Sequence, residues 1–311
     1  PVLPADPALV VTATRFALSP QDSPPGLSVI TADRIANSSA SSLPELLSRE
    51  AGIVTRDSTG SPDVQIDLRG FGVSGDQNTL LLLNGQRLNE IELVSQRWSA
   101  IPLESIERIE ILRGGGAVLY GGNATGGTIN IITREGRRGM PSELKAGVSL
   151  QGGYASPSAS YVQYHDHDKW TANYTLSVNR YKAPDHSENH LERNDGTVRD
   201  RTSNSHYDRE GLHATGRLQF KGDPGESLTL MPFVALSQGN TPGSMWAQTN
   251  GQEATASTGT DNHFWVARLN GQWKHKLSAD SNMEWKFNVG GWNSHSVLNQ
   301  TSTAPQILPT M

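Results

Sequence analysis

The sequence predicts a small mixed α/β domain followed by strands of an antiparallel transmembrane β-barrel. Short apolar segments alternate with compact, glycine-containing turns up to about residue 133. From residue 142 onward, aliphatic or aromatic residues alternate with polar ones. Between these parts lies the basic, glycine-rich segment 134–141 (REGRRGMP). We therefore expect a flexible segment over residues 1–26, the α/β domain over residues 27–139, and barrel strands over residues 140–311.

Composition excludes several classes of protein. The 311 residues include 26 Lys and Arg against 31 Asp and Glu, a net charge of −5, whereas a general nucleic-acid binder would be basic. The absence of cysteine excludes a thiol nucleophile, a disulfide scaffold and any cysteine-ligated metal. No apolar run approaches the roughly 18 residues that a membrane-spanning helix needs. Because barrel strands alternate polar and apolar residues, the composition does not exclude a transmembrane β-barrel.

The first domain contains local signals for short helices and strands. Residues 31–35 begin one helix, and residues 42–47 begin another with Ser42 at the N-cap and Glu45 at the third helical position. The pair Asn84-Gly85 predicts a hairpin turn. A further short helix is predicted over residues 102–106, and the predicted strands are 64–68, 79–83, 109–112 and 128–133.

The second half contains about seven segments with alternating apolar residues, as in half-buried antiparallel strands. Short turns alternate with long polar connections at about 183–208 and 238–262, which is typical of a membrane barrel. A large soluble antiparallel sheet, such as a sandwich or a propeller, is the alternative. The predicted strands are 143–150, 161–165, 170–178, 212–220, 228–236, 265–273 and 283–289.

Four motifs in the first domain point to a known family. They are residues 43–53 (LPELLSREAGI), 66–72 (IDLRGFG), 80–88 (LLLLNGQRL) and 101–133, which contains IERIEILRG, LYGG and GGTINIIT. With these motifs in this order, the chain resembles the N-terminal portion of TonB-dependent outer-membrane transporters. One departure is Gly115, where the family usually has proline.

The resemblance implies that residues 27–139 are a plug domain inside a barrel of about 22 strands. Closing such a barrel at the observed strand spacing takes roughly 500 residues after the plug. We therefore expect this chain to be the N-terminal part of a transporter. If it is the whole chain, a second chain must complete the barrel, because open sheet edges cannot face lipid.

Residues 6–13 resemble the TonB box, through which family members bind the periplasmic protein TonB. An apolar, β-branched segment in an extended tail is able to add as a strand to the sheet edge of a partner. A plain first strand of the plug is the alternative. The predicted TonB-binding residues are Asp6, Ala8, Leu9, Val10, Val11, Thr12 and Ala13.

The resemblance also implies that a metal chelate binds the outward turns of the plug, here residues 56–63 and 89–98. An unliganded, solvated loop is the alternative at each position. Arg69 and Arg113 end strands beside glycines, and we expect them to form ion pairs with carboxylates that act as a latch. The predicted ligand-binding residues are Arg56, Asp57, Ser58, Gln96, Arg97 and Trp98.

The longest predicted loop contains histidines among acidic residues, notably Asp185, His186 and His190. Oxygen-rich loops bind Ca²⁺, and histidine with acids binds Zn²⁺. Interleaved arginines and the turn sequence Asn194-Asp195-Gly196 favour a plain solvated loop. A metal ion here is therefore the weaker hypothesis, and no cofactor is expected.

The resemblance implies energy-coupled import of a ferric siderophore, haem or cobalamin across the outer membrane of a Gram-negative bacterium. The expected partners are TonB, the metal chelate and outer-membrane lipid, with no nucleic acid. One alternative is a non-importing binding or adhesion receptor on the same fold. The other is a soluble carbohydrate-active enzyme with Asp67 and Glu107 as its carboxylates. We expect no enzyme, because no Ser–His–Asp set, phosphate-binding lysine or cysteine accompanies those acids.

Overall fold

The computed structural model describes residues 25–40, 42–56, 64–88, 98, 101–114, 122–134, 141–278 and 281–303. They form a small α/β domain and a large antiparallel sheet, as the sequence predicts. Within these ranges, no helix is long and apolar enough to cross a membrane.

The α/β domain consists of short strands and helices around one sheet. Its elements are β1 (Leu27–Thr31), α1 (Ala32–Ala36), α2 (Leu43–Ser48), β2 (Ile53–Arg56), β3 (Gln65–Leu68), α3 (Gly75–Asn78), β4 (Thr79–Leu83), β5 (Gln86–Arg87), β6 (Ile106–Arg113) and β7 (Gly127–Thr133). The sheet order is β1-β6-β7-β4-β5, and β2 pairs with β3 in a separate hairpin. The short helix predicted over residues 102–106 is a 3₁₀ turn, Leu103–Ser105.

Helix α2 begins where the sequence predicts. The Ser42 hydroxyl accepts a hydrogen bond from the backbone N–H of Glu45 at 3.4 Å, which satisfies one of the unpaired donors of the first turn. Pro44 lies in that turn, where its missing N–H costs nothing. Leu43, Leu46 and Leu47 are buried, so the helix is held by packing against the sheet as well as by its cap.

Strand β4 lies inside the domain, parallel to β7, and all five of its residues are buried. Leu81 and Leu83 join the main core, whereas Leu80 and Leu82 pack on the other side. Because both faces are covered, the strand is continuously apolar instead of alternating. It ends in the predicted Asn84-Gly85 turn, whose φ angles of 52° and 76° are those of a tight hairpin.

The second part of the chain is a meander in which each strand pairs antiparallel with the next. Its strands are β8 (Glu143–Gln151), β9 (Tyr154–His167), β10 (Trp170–Glu192), β11 (Val198–Lys221), β12 (Ser227–Thr249), β13 (Gln252–Lys276) and β14 (Asn282–Ser302). The seven predicted strands are confirmed. Within the described ranges the sheet is open, with β8 and β14 at its edges, which agrees with the incomplete barrel that the sequence predicts.

The prediction of long polar connections is wrong. β10 runs to Glu192 and β11 begins at Val198, while β12 and β13 are joined by the two-residue turn Asn250-Gly251. The backbone ladder continues in register through these segments. The pattern misleads because polar residues occupy most positions on both faces there, so alternation weakens although pairing does not.

The two faces of this sheet differ in chemistry. On one face, which we call the outward face, Val178 lies opposite Leu212, Leu212 opposite Leu236, and Leu236 opposite Trp265. These four side chains are 41–45% exposed. The other face, which we call the inward face, contributes to the core of the α/β domain the side chains of Phe233, Ala235, Phe264 and Val266.

Candidate functional site

The structure describes only part of the predicted site. The predicted residues within it are Arg56, Arg69, Trp98, Arg113, Asp185, His186 and His190. Those outside the described residues are Asp6, Ala8, Leu9, Val10, Val11, Thr12, Ala13, Asp57, Ser58, Gln96 and Arg97.

A buried carboxylate organises the turn that follows β3. Asp67 is fully buried and accepts hydrogen bonds from the backbone N–H groups of Phe71 at 2.8 Å and Gly72 at 2.7 Å. Arg56 ends β2 with its Nε 3.9 Å from the same carboxylate and its side chain 46% exposed. Asp67 therefore shapes the turn and is sealed from any substrate, whereas Arg56 faces solvent beside it.

Trp98 is a structural residue. Only 2% of it is exposed, and its indole N–H donates to the carbonyl of Val64 at 2.8 Å. It belongs to the main apolar core. The predicted aromatic face for a ligand therefore points into the domain, and we do not retain Trp98 as a ligand contact. Its burial was not visible in the sequence, because a tryptophan in a turn fits either role.

Arg113, at the end of β6, bonds to two other parts of the α/β domain: strand β1 and the turn between α2 and β2. Its Nε donates to the carbonyl of Ala51 at 2.9 Å, and its Nη1 donates to the hydroxyl of Ser28 at 2.8 Å. The partners that the described residues supply are thus a carbonyl and a hydroxyl, not the predicted carboxylate. Arg69 has a φ of 72°, and its guanidinium lies where a Cβ on Gly114 would be 2.8 Å away. Its predicted carboxylate partner stays a prediction.

Polar contacts attach the α/β domain to the inward face of the sheet. Lys145 on β8 forms an ion pair with Glu104, and the amide of Asn173 on β10 donates to the carbonyl of Arg134. On β13, Arg268 donates to the carbonyl of Leu88 at 3.3 Å. Sequence reasoning missed these contacts, although polar residues at inward positions of alternating strands were the available signal.

The geometry is therefore a small α/β domain held against one face of a large antiparallel sheet. The family model of the TonB-dependent receptor plug domain matches residues 19–128. This match assigns residues 19–128 to the plug domain of TonB-dependent receptors. The α/β domain is this plug, and the seven-stranded antiparallel sheet follows it.

Three curated proteins illustrate the likeness. The vitamin B12 transporter of Photobacterium profundum is 36% identical over 145 residues, which are 47% of this chain and 23% of that protein. The ferrienterobactin receptor of Escherichia coli is 38% identical over 146 residues, or 42% and 19%. An iron-regulated outer membrane virulence protein of Vibrio cholerae is 26% identical over 327 residues, or 98% and 46%. The chain thus spans less than half the length of these relatives.

The predicted placement of Asp185, His186 and His190 in a loop is wrong. All three lie on β10, where successive side chains point to opposite faces, so Asp185 is directed away from the two histidines. His186 Nδ1 is 2.6 Å from Asn204 Oδ1, and His190 Nδ1 is 2.6 Å from Asp200 Oδ1. Across the described ranges, no group of three histidines or acids is arranged to hold a metal ion.

Cross-strand hydrogen bonds shift the pKa values of residues that lie beyond Val178 on β10 and β11. The hydrogen bond with Asp200 raises the pKa of His190, and the hydrogen bond with Asn204 raises that of His186. Nearby, the Arg180 guanidinium binds both oxygens of Asp208 at 2.8 and 2.7 Å and holds the pKa of that carboxyl at about 2. Charged pairs thus connect β10 to β11 on the outward face.

We predict that Asp67→Asn destabilises the plug turn. The amide presents an NH₂ group where both carboxylate oxygens accept backbone N–H groups, and leaving one buried donor unpaired costs about 1–3 kcal/mol. Hydrogen exchange at Phe71 and Gly72 in the full-length receptor measures the loss. Asp33→Asn, which removes an exposed carboxylate from α1, is the matched control. Equal protection in the two variants contradicts this role.

We predict that His190 titrates above its ordinary pKa of about 6.5 and that Asp200→Asn lowers this pKa. Because folding raises the pKa, the pair contributes to strand pairing below that ordinary value, and the contribution is lost as pH rises through the raised pKa. An NMR titration of the imidazole in the full-length receptor measures it. Asp195→Asn in the neighbouring turn is the control, and an unchanged pKa in Asp200→Asn would refute the pairing.

Proposed function

We propose that this chain is part of a receptor that imports a metal chelate across the outer membrane of a Gram-negative bacterium with energy transmitted by TonB. Relatives named for vitamin B12 and for ferrienterobactin support a chelate as the cargo. A relative named as an outer membrane protein supports the location. The proposal concerns the whole protein, of which this chain supplies the plug and seven strands.

One arrangement carries this proposal: a plug on the inward face of a sheet whose outward face is apolar. Strands of about 9–11 tilted residues cross the hydrocarbon of a membrane, and the outward apolar positions of β10 run from Trp170 to Val178. Near the short turns, Trp170 lies opposite Phe220 and Trp273 opposite Trp285, as in an interfacial aromatic belt. Beyond Val178, β10 continues as a wall outside the lipid.

The plug is attached in a way that supports its rearrangement under force. Its contacts with the wall combine a small apolar patch with separate polar contacts, including the ion pair of Lys145 with Glu104. Among the described residues, β1 is an edge strand of the plug sheet and pairs with β6 over five residues. Because β1 directly follows the N-terminal segment, tension on that segment reaches it first, where Arg113 holds Ser28.

The predicted binding residues enter the proposal in two groups. Arg56 is an exposed cation at the plug surface and remains a proposed ligand contact, together with its neighbours Asp57 and Ser58 and with Gln96 and Arg97. The segment 6–13 is the proposed TonB-binding strand, because its apolar, β-branched residues suit addition to a sheet edge.

We predict that deleting residues 6–13 from the full-length receptor abolishes import and leaves binding intact. The deletion removes the proposed TonB-binding segment and none of the described residues of the plug core. Binding and uptake of radiolabelled ferric enterobactin and vitamin B12 by whole cells measure the two steps. Deleting residues 15–22 is the matched control, since it shortens the same segment by the same length.

The outcomes separate the candidate functions. Retained binding with lost uptake, in the first deletion alone, supports energy-coupled import. Normal uptake after removal of residues 6–13 contradicts the assignment of that segment. Binding without uptake by the unmodified receptor favours the non-importing binding receptor instead.

A further inference from the structure

A cavity lies on the outward face of the sheet at the level of Val178. Its volume is about 790 Å³, and its described lining residues all belong to strands β9 to β14. Val178, Leu212, Leu236 and Trp265 form its apolar floor as one cross-strand row. Cavities of about 300–1,000 Å³ with apolar walls and a few polar groups are typical of small-molecule sites. Because the outward face is the proposed lipid-facing side, the occupant that fits this place is a membrane lipid.

Polar side chains border the floor on the side away from the short turns. Two residues further along the strands, Arg180 lies opposite Glu210, Glu210 opposite Gln238, and Gln238 opposite His263, and all four line the cavity. The amide of Gln238 donates to Glu210 at 3.4 Å, and Nη1 of Arg180 is 3.6 Å from the same carboxylate. Short turns face the periplasm in membrane barrels, so the cavity spans the outer boundary between apolar and polar wall.

This polar row suits a headgroup that both donates and accepts hydrogen bonds. Among the described lining residues, Arg180 and Glu210 carry opposite charges that cancel. Arg180 gives Nε and Nη2 to Asp208, so Nη1 holds donors that Asp208 does not use. A phosphate offers acceptors alone and is repelled by a carboxylate, whereas the hydroxyl and amide groups of an amino sugar bond to both kinds of partner.

Trp265 supplies a ring surface at the same boundary. It is 44% exposed, and a Cβ on Gly291 would lie 3.6 Å from its ring, so the indole extends over a residue that has no side chain. Tryptophan is enriched where a membrane meets water, and an exposed indole also offers an apolar face to the C–H side of a sugar ring. The same strand carries Trp273 near the short turns, about 26 Å away.

We propose that this cavity binds a glycolipid of the outer leaflet, with acyl chains on the row from Val178 to Trp265 and an amino-sugar headgroup on the row from Arg180 to His263. The inference rests on the outer-membrane location in the proposed function and adds a lipid site on the outward face. The apolar row contributes affinity through the methylene groups that it buries. The polar row selects the headgroup, because a sugar satisfies Glu210 and a phosphate does not.

The test measures which lipids remain bound to the full-length protein. Nanodiscs contain equal amounts of phosphatidylglycerol and of a purified rough lipopolysaccharide, whose headgroup includes an acylated glucosamine disaccharide. They are dissolved with detergent, and native mass spectrometry counts the lipids retained. Trp265→Leu removes the ring surface, and Trp273→Leu, at the other end of the same outward face, is its control. Glu210→Gln removes the carboxylate, and Glu253→Gln, an exposed acid on β13, is its control.

We expect the unmodified protein to retain lipopolysaccharide in preference to phosphatidylglycerol. Trp265→Leu and Glu210→Gln should each retain about tenfold less of it, and the two controls should match the unmodified protein. Preferential retention of phosphatidylglycerol, or a gain of it in Glu210→Gln, overturns the inference in favour of a phospholipid. Retention of neither lipid, or an equal loss in Trp273→Leu or Glu253→Gln, overturns the site.

These outcomes leave the proposed import intact, because uptake is measured separately. A full-length protein that stays soluble without detergent and enters no nanodisc overturns the proposed function and the inference together.

Discussion

The two-residue periodicity of the seven-stranded sheet is the constraint on which the rest of the structure depends. Because every strand pairs in register with its neighbour, one set of side chains is committed to the outward face and the other to the interior. The plug packs on one set and leaves the apolar set exposed. A one-residue shift in the register of β10 would turn Asn179 to the outward face and Val178 to the interior. The inward face that contacts the plug and the apolar outward face would both be lost.

Inside the plug, buried polar groups determine the shape of the turns. Asp67 holds the turn after β3, and Glu110, also fully buried, is bound by Arg108 at 2.9 Å. The amide of Asn130 accepts from the N–H of Gly85 at 3.0 Å and so fixes the β4–β5 hairpin to β7. Buried polar groups are costly unless they are paired, so these bonds specify one arrangement of the plug turns.

Elements whose ends are determined by neighbouring residues in the sequence were predictable. β4 has the predicted bounds because an apolar run ends at Asn84-Gly85, and α2 begins after Ser42 because the cap signal is local. The extents of β10 to β13 were not predictable, because polar residues occupy most positions on both faces at these ends and the alternation that marks a strand weakens there. The roles of Trp98 and Arg113 depend on Val64, Ala51 and Ser28, which lie far away in sequence.

The most direct test of this account is the lipid accessibility of consecutive positions along β10. Single cysteines introduced at residues 174–179 of the full-length protein can be labelled and exposed to a quencher confined to the bilayer, and these 311 residues contribute no native cysteine to the background. The account predicts quenching at Tyr174, Leu176 and Val178 and none at Thr175, Ser177 and Asn179. Quenching that does not alternate, or none at any of these positions, would contradict a plugged barrel wall.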